Sequence, residues 1–236
     1  MKTHTIKRFE DEMNELKDKV LAMGGLVEKA TKRSMNSLIK HDAKRAHKVI
    51  ERDHTINAME IEIDEMTRTM LALRQPAASD LRFVMTTIKV VTDLERMGDL
   101  AEDIAENMLD TEDHPLMQVT SLQRLSEVVL TQLRDALDAF ARGDVDAALK
   151  CIDGDKRIDE MYKAMQREFL TYMLEDPRQI TAALIASNIA RDLERIGDHA
   201  VNVAEMVIYM VKGNDIRHID HKTATAIVSG ELDEEV

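Results

Sequence analysis

The chain has no tryptophan, three tyrosines and four phenylalanines, so aromatics make up only 3% of its 236 residues. Breakers are equally scarce, with three prolines and eight glycines. A β-sandwich or barrel needs aromatic and β-branched strands punctuated by frequent turn signals, and this chain supplies neither. Helix formers dominate instead, and an all-α protein with one large or two modest cores is expected. The single cysteine, Cys151, excludes an internal disulfide framework and fits a reducing compartment. No apolar run approaches the ~20 residues that cross a bilayer. The opening stretch MKTHTIKRFEDEM has no apolar core of the kind a signal peptide requires. A cytoplasmic location follows, compatible with peripheral attachment to the inner membrane through partners. Positive charge is in deficit too, with 32 Lys and Arg against 45 Asp and Glu and a formal charge of −13. That sign repels phosphate backbones, and no basic cluster with interleaved aromatics offsets it, which argues against direct nucleic-acid binding.

What the chain does have is a repeat. The octet TDLERMGD at Thr92–Asp99 recurs 99 residues later as RDLERIGD at Arg191–Asp198. The match extends outward: HDAKRA from His41 aligns with GDVDAA from Gly143, and Asp53-x-x-Ile56-Asn57 with Asp155-x-x-Ile158-Asp159, both at an offset of 102. Pro76 and Pro177 mark corresponding turns. Apolar residues at three- and four-residue spacing predict helices over 6–40, 43–74, 78–111, 118–141, 144–175 and 178–212, with Gly213-Asn214-Asp215 as a stop. The reading is a tandem repeat of two antiparallel three-helix bundles, each like a spectrin repeat. They span 1–112 and 113–213, followed by a C-terminal tail over 214–236. A single six-helix bundle is the alternative; the break at 111–117, the longest in the pattern, favours two. Met59, Met66 and Met70 share a helix side with Ile56 and Ile63 and read as core filler.

The repeated Glu-x-x-x-Asp carries the chemistry. Residues four apart on a helix lie about 40° from each other, so Glu95 and Asp99 share a face, as do Glu194 and Asp198. Folding each hairpin about its proline turn sets Asp53 opposite Asp99 and Asn57 opposite Glu95. The same register sets Asp155 opposite Asp198 and Asp159 opposite Glu194. Asp103 and Asn202 continue the two lines by another turn. Each like-charged pair at ~4 Å would cost about 1 kcal/mol in water and ~4 kcal/mol at an effective dielectric of 20, so a cation is expected in each seam. All-oxygen ligands suit magnesium, manganese or calcium, and carboxylates also hold iron or zinc. Alternatively, Arg96, Arg191, Arg195 and solvent neutralise these faces. Gly98 and Gly197, inside helices where glycine costs ~1 kcal/mol, point to close helix approach. Glu51-x-x-His54 is a lone Glu-x-x-His without a counterpart, His199 reads as an exposed helix histidine because Leu100 occupies the matching place, and His218 and His221 fall in the tail and read as freely titrating. No nucleophile elbow, phosphate loop or Cys/His site is present, so no catalytic residue is assigned.

Five stretches, LAMGGLVEKA at 21–30, RQPAASDLR at 74–82, LERMGD at 94–99, EDPR at 175–178 and LERIGDHAVNVAE at 193–205, together resemble the PhoU family of bacterial regulators of phosphate uptake and the phosphate-starvation response. The resemblance covers roughly residues 10–213. It implies two similar three-helix bundles, homodimerisation, and metal clusters held by E/D-x-x-x-D motifs, here Asp53/Asn57, Glu95/Asp99, Asp155/Asp159 and Glu194/Asp198. Asn57 departs from the acidic pattern, which weakens the first site relative to the second. The resemblance further implies a non-catalytic negative regulator linking the ATPase subunit of the Pst phosphate transporter to the sensor kinase PhoR. Two other classes stand beside it. One is a carboxylate-bridged metalloenzyme, which lacks a second histidine ligand here. The other is a metal-free structural adaptor whose acidic faces meet basic partner surfaces.

Overall fold

The computed structural model describes residues 2–111, 114–116, 119–217, 219, 223, 225 and 226. His218, His221 and the acidic end at 231–235 lie outside the described residues. Six helices account for most of the chain: α1 Lys2–Lys40, α2 Ala43–Arg74, α3 Ala78–Leu109, α4 Val119–Arg142, α5 Val145–Glu175 and α6 Ile180–Lys212. A single 3-10 turn, Pro177–Gln179, leads into α6. Among the described residues there is no strand, and no helix is long and apolar enough to cross a membrane.

The repeat is visible in the local chemistry of the turns. His41 takes the left-handed conformation (φ 48°) after α1, and Gly143 takes it (φ 62°) after α4. In both turns the next amide reaches back five residues, Asp42 N to Ser37 O at 2.9 Å and Asp144 N to Ala139 O at 3.0 Å, which is the Schellman arrangement. Asp42 and Asp144 then cap the following helices by accepting from Arg45 N and Ala147 N. The last stop is Gly213 (φ 86°), whose N–H donates to Tyr209 O. Beyond it Ile216 is buried, so the start of the tail packs on the bundle.

Packing separates inner from outer helices. Val49, Ile56, Ile63 and Met70 step by sevens along the buried stripe of α2, with Ala46 and Thr67 beside them, and Cys151, Ile158 and Met165 do so along that of α5, with Ala148 and Phe169. So narrow a stripe serves a helix with neighbours on one side only. α2 lies against α1 and α3, and α5 against α4 and α6. By contrast α3 and α6 bury broad faces, because they also pack along each other, and α1 meets α4 across the two halves. Buried side chains of both halves form one continuous cluster, from Leu16 and Leu38 through Leu94 and Met97 to Ile189 and Val207. The seams between outer and central helices therefore open to solvent on one side and rest on this core on the other.

Candidate metal centres at two helix seams

In each hairpin the glycine of the repeated octet sets the approach of the helices. A Cβ on Gly98 would lie 3.1 Å from Ile56 Cδ1, and one on Gly197 the same distance from Ile158 Cδ1. The missing side chains let α2 and α5 settle close enough for carboxylates on both walls to feel one another, which is the close approach expected from the sequence.

In the first seam, Asn57 Nδ2 donates to Asp53 Oδ2 at 2.7 Å, leaving Asp53 Oδ1 and Asn57 Oδ1 buried without a hydrogen-bond partner. Burial raises the Asp53 carboxyl above its ordinary range, and the charge of Asp99 across the seam pushes the same way. Glu95 is raised by burial and then by Asp99, Glu60 and Asp53, with Arg96 opposing. The charge of Asp99 therefore acts across the seam on Asp53, and Asn57 lies one turn along α2 from that acid. Arg96 ion-pairs with Glu95 at 3.5 Å and with Asp99 at 3.3 Å, so it neutralises part of this face, as the alternative reading anticipated.

The second seam is built the same way with four carboxylates. Glu194 is raised by burial and by Asp198, Asp159 and Asp155, while Asp198 is raised by burial and by Asp155 and Asp159. Gln132 of α4 reaches in from behind, its Nε2 donating to Cys151 O at 3.2 Å and to Asp155 Oδ1 at 3.4 Å, while its Oε1 stays buried and unpaired. Lys163 holds Asp159 at 2.6 Å. Arg191 lies 3.7 Å from Asp192 instead.

Two further candidates lie elsewhere. Asn202 donates to Asp93 Oδ1 of α3 at 3.0 Å, and the charge of Asp103 acts on Asp192 of α6, so both belong to the α3–α6 contact. His199 joins them there: it is half-buried, with Nδ1 2.8 Å from Asp93 Oδ1, and is not the exposed helix histidine expected. His54 is exposed and sits against Glu51 O. Cys151 is buried, and desolvation pushes its thiol up to about 12, so it is an inert packing group.

Sequence reasoning missed Glu60 and Glu102, both raised by burial first, with Asp99 among the charges acting on each and Asp53 also acting on Glu102. The signal was present. Two successive four-residue steps overshoot a helix face by ~80°, whereas a four and a three return within ~20° of it. The seam line thus runs Glu95, Asp99, Glu102 and Asp53, Asn57, Glu60. In the second copy Tyr162 and Val201 stand at the places of Glu60 and Glu102.

Among the described residues, no three His, Cys, Asp or Glu side chains stand close enough together to hold a metal ion as arranged. The donor set nevertheless fits a hard cation. Beside the seam carboxylates the unpaired buried atoms Asp53 Oδ1, Asn57 Oδ1 and Gln132 Oε1 are oxygen acceptors, whereas farther along α5 Gln166, which accepts from Ser187 of α6, leaves its Nε2 donor unpaired.

Comparison with known proteins follows the same two-copy plan. A model of the PhoU domain matches residues 20–108 and again 122–207. The phosphate-specific transport system accessory protein PhoU homolog of Pseudomonas putida is 46% identical over 229 residues, covering 96% of this chain and 90% of the relative. The accessory protein PhoU of Escherichia coli K12 is 38% identical, covering 96% and 95%. The crystal structure of PhoU from Pseudomonas aeruginosa superposes with a TM-score of 0.84 at 44% identity, over 87% of this chain and all of that one. The phosphate transport system regulatory protein PhoU from Streptococcus pneumoniae gives 0.83 at 30% identity, over 88% and 98%.

Proposed function

The chain belongs to the PhoU family, and from that premise we propose that it is an accessory, regulatory protein of a phosphate-specific transport system, acting through protein contacts and not by catalysis. The observation that carries this reading is that both copies of the repeat match the family, over nearly the full length of relatives bearing that name.

In its finer form the proposal is a negative regulator. It would join the ATPase subunit of the transporter to the sensor kinase PhoR, conveying phosphate sufficiency as reduced kinase output and uptake. It would work as a homodimer in the cytoplasm, reaching the inner membrane through its partners. The two seams would be metal centres: Asp53, Asn57, Glu95 and Asp99 in the first, Asp155, Asp159, Glu194 and Asp198 in the second. A bound divalent ion would supply charge neutralisation. The chain's own residues do the rest: the carboxylates fix the outer helices α2 and α5 against α3 and α6, and Gln132 orients Asp155 from behind. The orphaned acceptor oxygens and the raised carboxyls support this reading, because both describe sites that want positive charge.

Two experiments test it. The first is a pull-down against the transporter ATPase and the kinase, with and without EDTA. Recovery only before chelation supports metal-shaped docking, recovery in both conditions favours the metal-free adaptor, and recovery in neither rejects the regulatory assignment. The second is elemental analysis of Asp155→Ala/Asp198→Ala, where metal content equal to the parent chain removes the second centre.

A further inference from the structure

The acidic balance of the chain conceals one region of opposite sign. Residues 29–52, the end of α1 and the start of α2, carry eight Lys and Arg against Asp42 and Glu51, whereas the equivalent residues 131–154 carry three against five acids. Within the basic region α1 and α2 enclose a cavity of about 260 Å3. Its floor is apolar, formed by Leu26, Ala30, Val49 and Ile56 with the bare backbone of Gly98, and its rim is Lys29, Arg33, Lys48 and Arg52. All four cations are exposed. Among the described residues none of them has an ion-pair partner within 4.0 Å, although 45 acidic residues were available to the chain. Asp53, set deeper toward α3, is the one acid on the wall.

The second copy provides an internal control. Its groove between α4 and α5 is lined at matching positions, at the offset of 102, by Val128 for Leu26, Lys150 for Lys48 and Cys151 for Val49. Yet Thr131, Asp135 and Gly154 replace Lys29, Arg33 and Arg52. Arg124 and Arg157 enter the second lining from other positions, but there three cations stand against Glu127 and Asp135, whereas in the first four stand against Asp53 alone, and that excess calls for a reason other than packing. Four unpaired like charges around one hollow repel each other and are relieved by an anion.

We infer that the α1–α2 groove binds a phosphorylated small molecule, its phosphoryl oxygens held by Arg33 and Arg52 with Lys29 and Lys48, and any organic group lying on the apolar floor. Arginine forks match phosphoryl oxygens two at a time, and lysines add charge without fixed direction. The cavity is slightly below the roughly 300–1,000 Å3 of sites that enclose drug-sized ligands, which suits a phosphate or nucleotide seated partly in solvent. A lipid surface is disfavoured because the hollow is concave, and none of the large exposed apolar side chains falls within residues 29–52.

The test is calorimetric titration of the full chain with ADP and, separately, with inorganic phosphate at about 0.15 M salt, where long-range attraction is screened. The inference expects at least one of them to bind, and the tighter arm names the source of the phosphoryl group. Arg33→Glu/Arg52→Glu should weaken binding by about tenfold or more, while Lys150→Glu in the second groove leaves it within about twofold. Lys29→Glu/Lys48→Glu repeats the test should the first variant misfold by circular dichroism. Absence of binding in both arms overturns the inference, as does equal weakening by Lys150→Glu, which would report net charge and not a site. Association with anionic vesicles in place of either ligand also overturns it.

Discussion

His199 of α6 and Asp93 of α3 meet with Nδ1 2.8 Å from Oδ1, joining the two copies of the repeat along their longest shared contact. The same carboxylate oxygen accepts from Asn202. Replacing the acid strands two donors, whereas replacing the histidine leaves the acid one partner. Asp93→Ala should therefore cost about 2 kcal/mol of unfolding free energy and His199→Leu about 1 kcal/mol. Leucine already occupies the matching place at Leu100, so the second change has a precedent for size. Urea denaturation measures both, and an Asp93→Ala chain as stable as His199→Leu would show that this bridge does not form in solution.

Asp192 occupies the place of Asp93 in the second copy, but it is only 3% exposed, and its nearest cation is Arg191 at 3.7 Å. Burial pushes its carboxyl from an ordinary 3.8 up to about 6, and Asp103 adds to the effect. The folded state then holds this proton more tightly than the unfolded chain does. Below pH 3.8 both states are protonated and no penalty exists; stability falls as pH rises from there through about 6, then levels. The penalty at neutral pH is at most about 3 kcal/mol. Asp192→Asn should raise the melting temperature at pH 7 more than at pH 4. Identical gains at the two values would mean that the carboxyl titrates normally.

Gly98 and Ile56 touch through the space a side chain would fill. Gly98→Ala gains ~1 kcal/mol of helix propensity and loses a comparable amount to crowding, leaving it near neutral or mildly destabilising. Ile56→Val alone should cost about 1 kcal/mol by leaving a gap. Combined, the shorter side chain accommodates the new methyl, so the double variant should be more stable than the sum of the singles predicts, by about 0.5 kcal/mol or more. Strict additivity in the cycle would dismiss the contact.

His41 holds a left-handed backbone that its counterpart Gly143 adopts without strain. His41→Gly should stabilise the chain by up to about 1 kcal/mol, and Gly143→Ala should destabilise it by about as much. The His41 side chain is exposed, so no packing confounds the first change. Thermal melts of both variants decide it: shifts of the same sign would contradict the assignment.

Much of this architecture was legible in one dimension. The predicted helix ends fall within a few residues of those seen, because apolar spacing, Asp caps and αL stops act within one turn of chain. That the charge of Asp99 acts on Asp53, and that of Asp155 on Asp198, was legible too, since a tight proline turn fixes the register of two long rods. What failed was a step that helix periodicity does constrain. Asp103 was carried forward by a second four-residue step where the seam takes three, and Glu102 was missed for that reason.

The sequence alone determined that this protein is helical, doubled, and acid-lined in two hairpins, because each of those properties follows from hydrogen bonds and side-chain angles within a helix or across one turn. The tertiary structure alone decided that Asp93 would meet His199 and Asn202, that Gln132 would stand behind Asp155, and that Lys29, Arg33, Lys48 and Arg52 would ring one hollow. Those neighbours come from helices whose relative rotation is set by the burial of one shared core, a global optimum of packing that no spacing along the chain records.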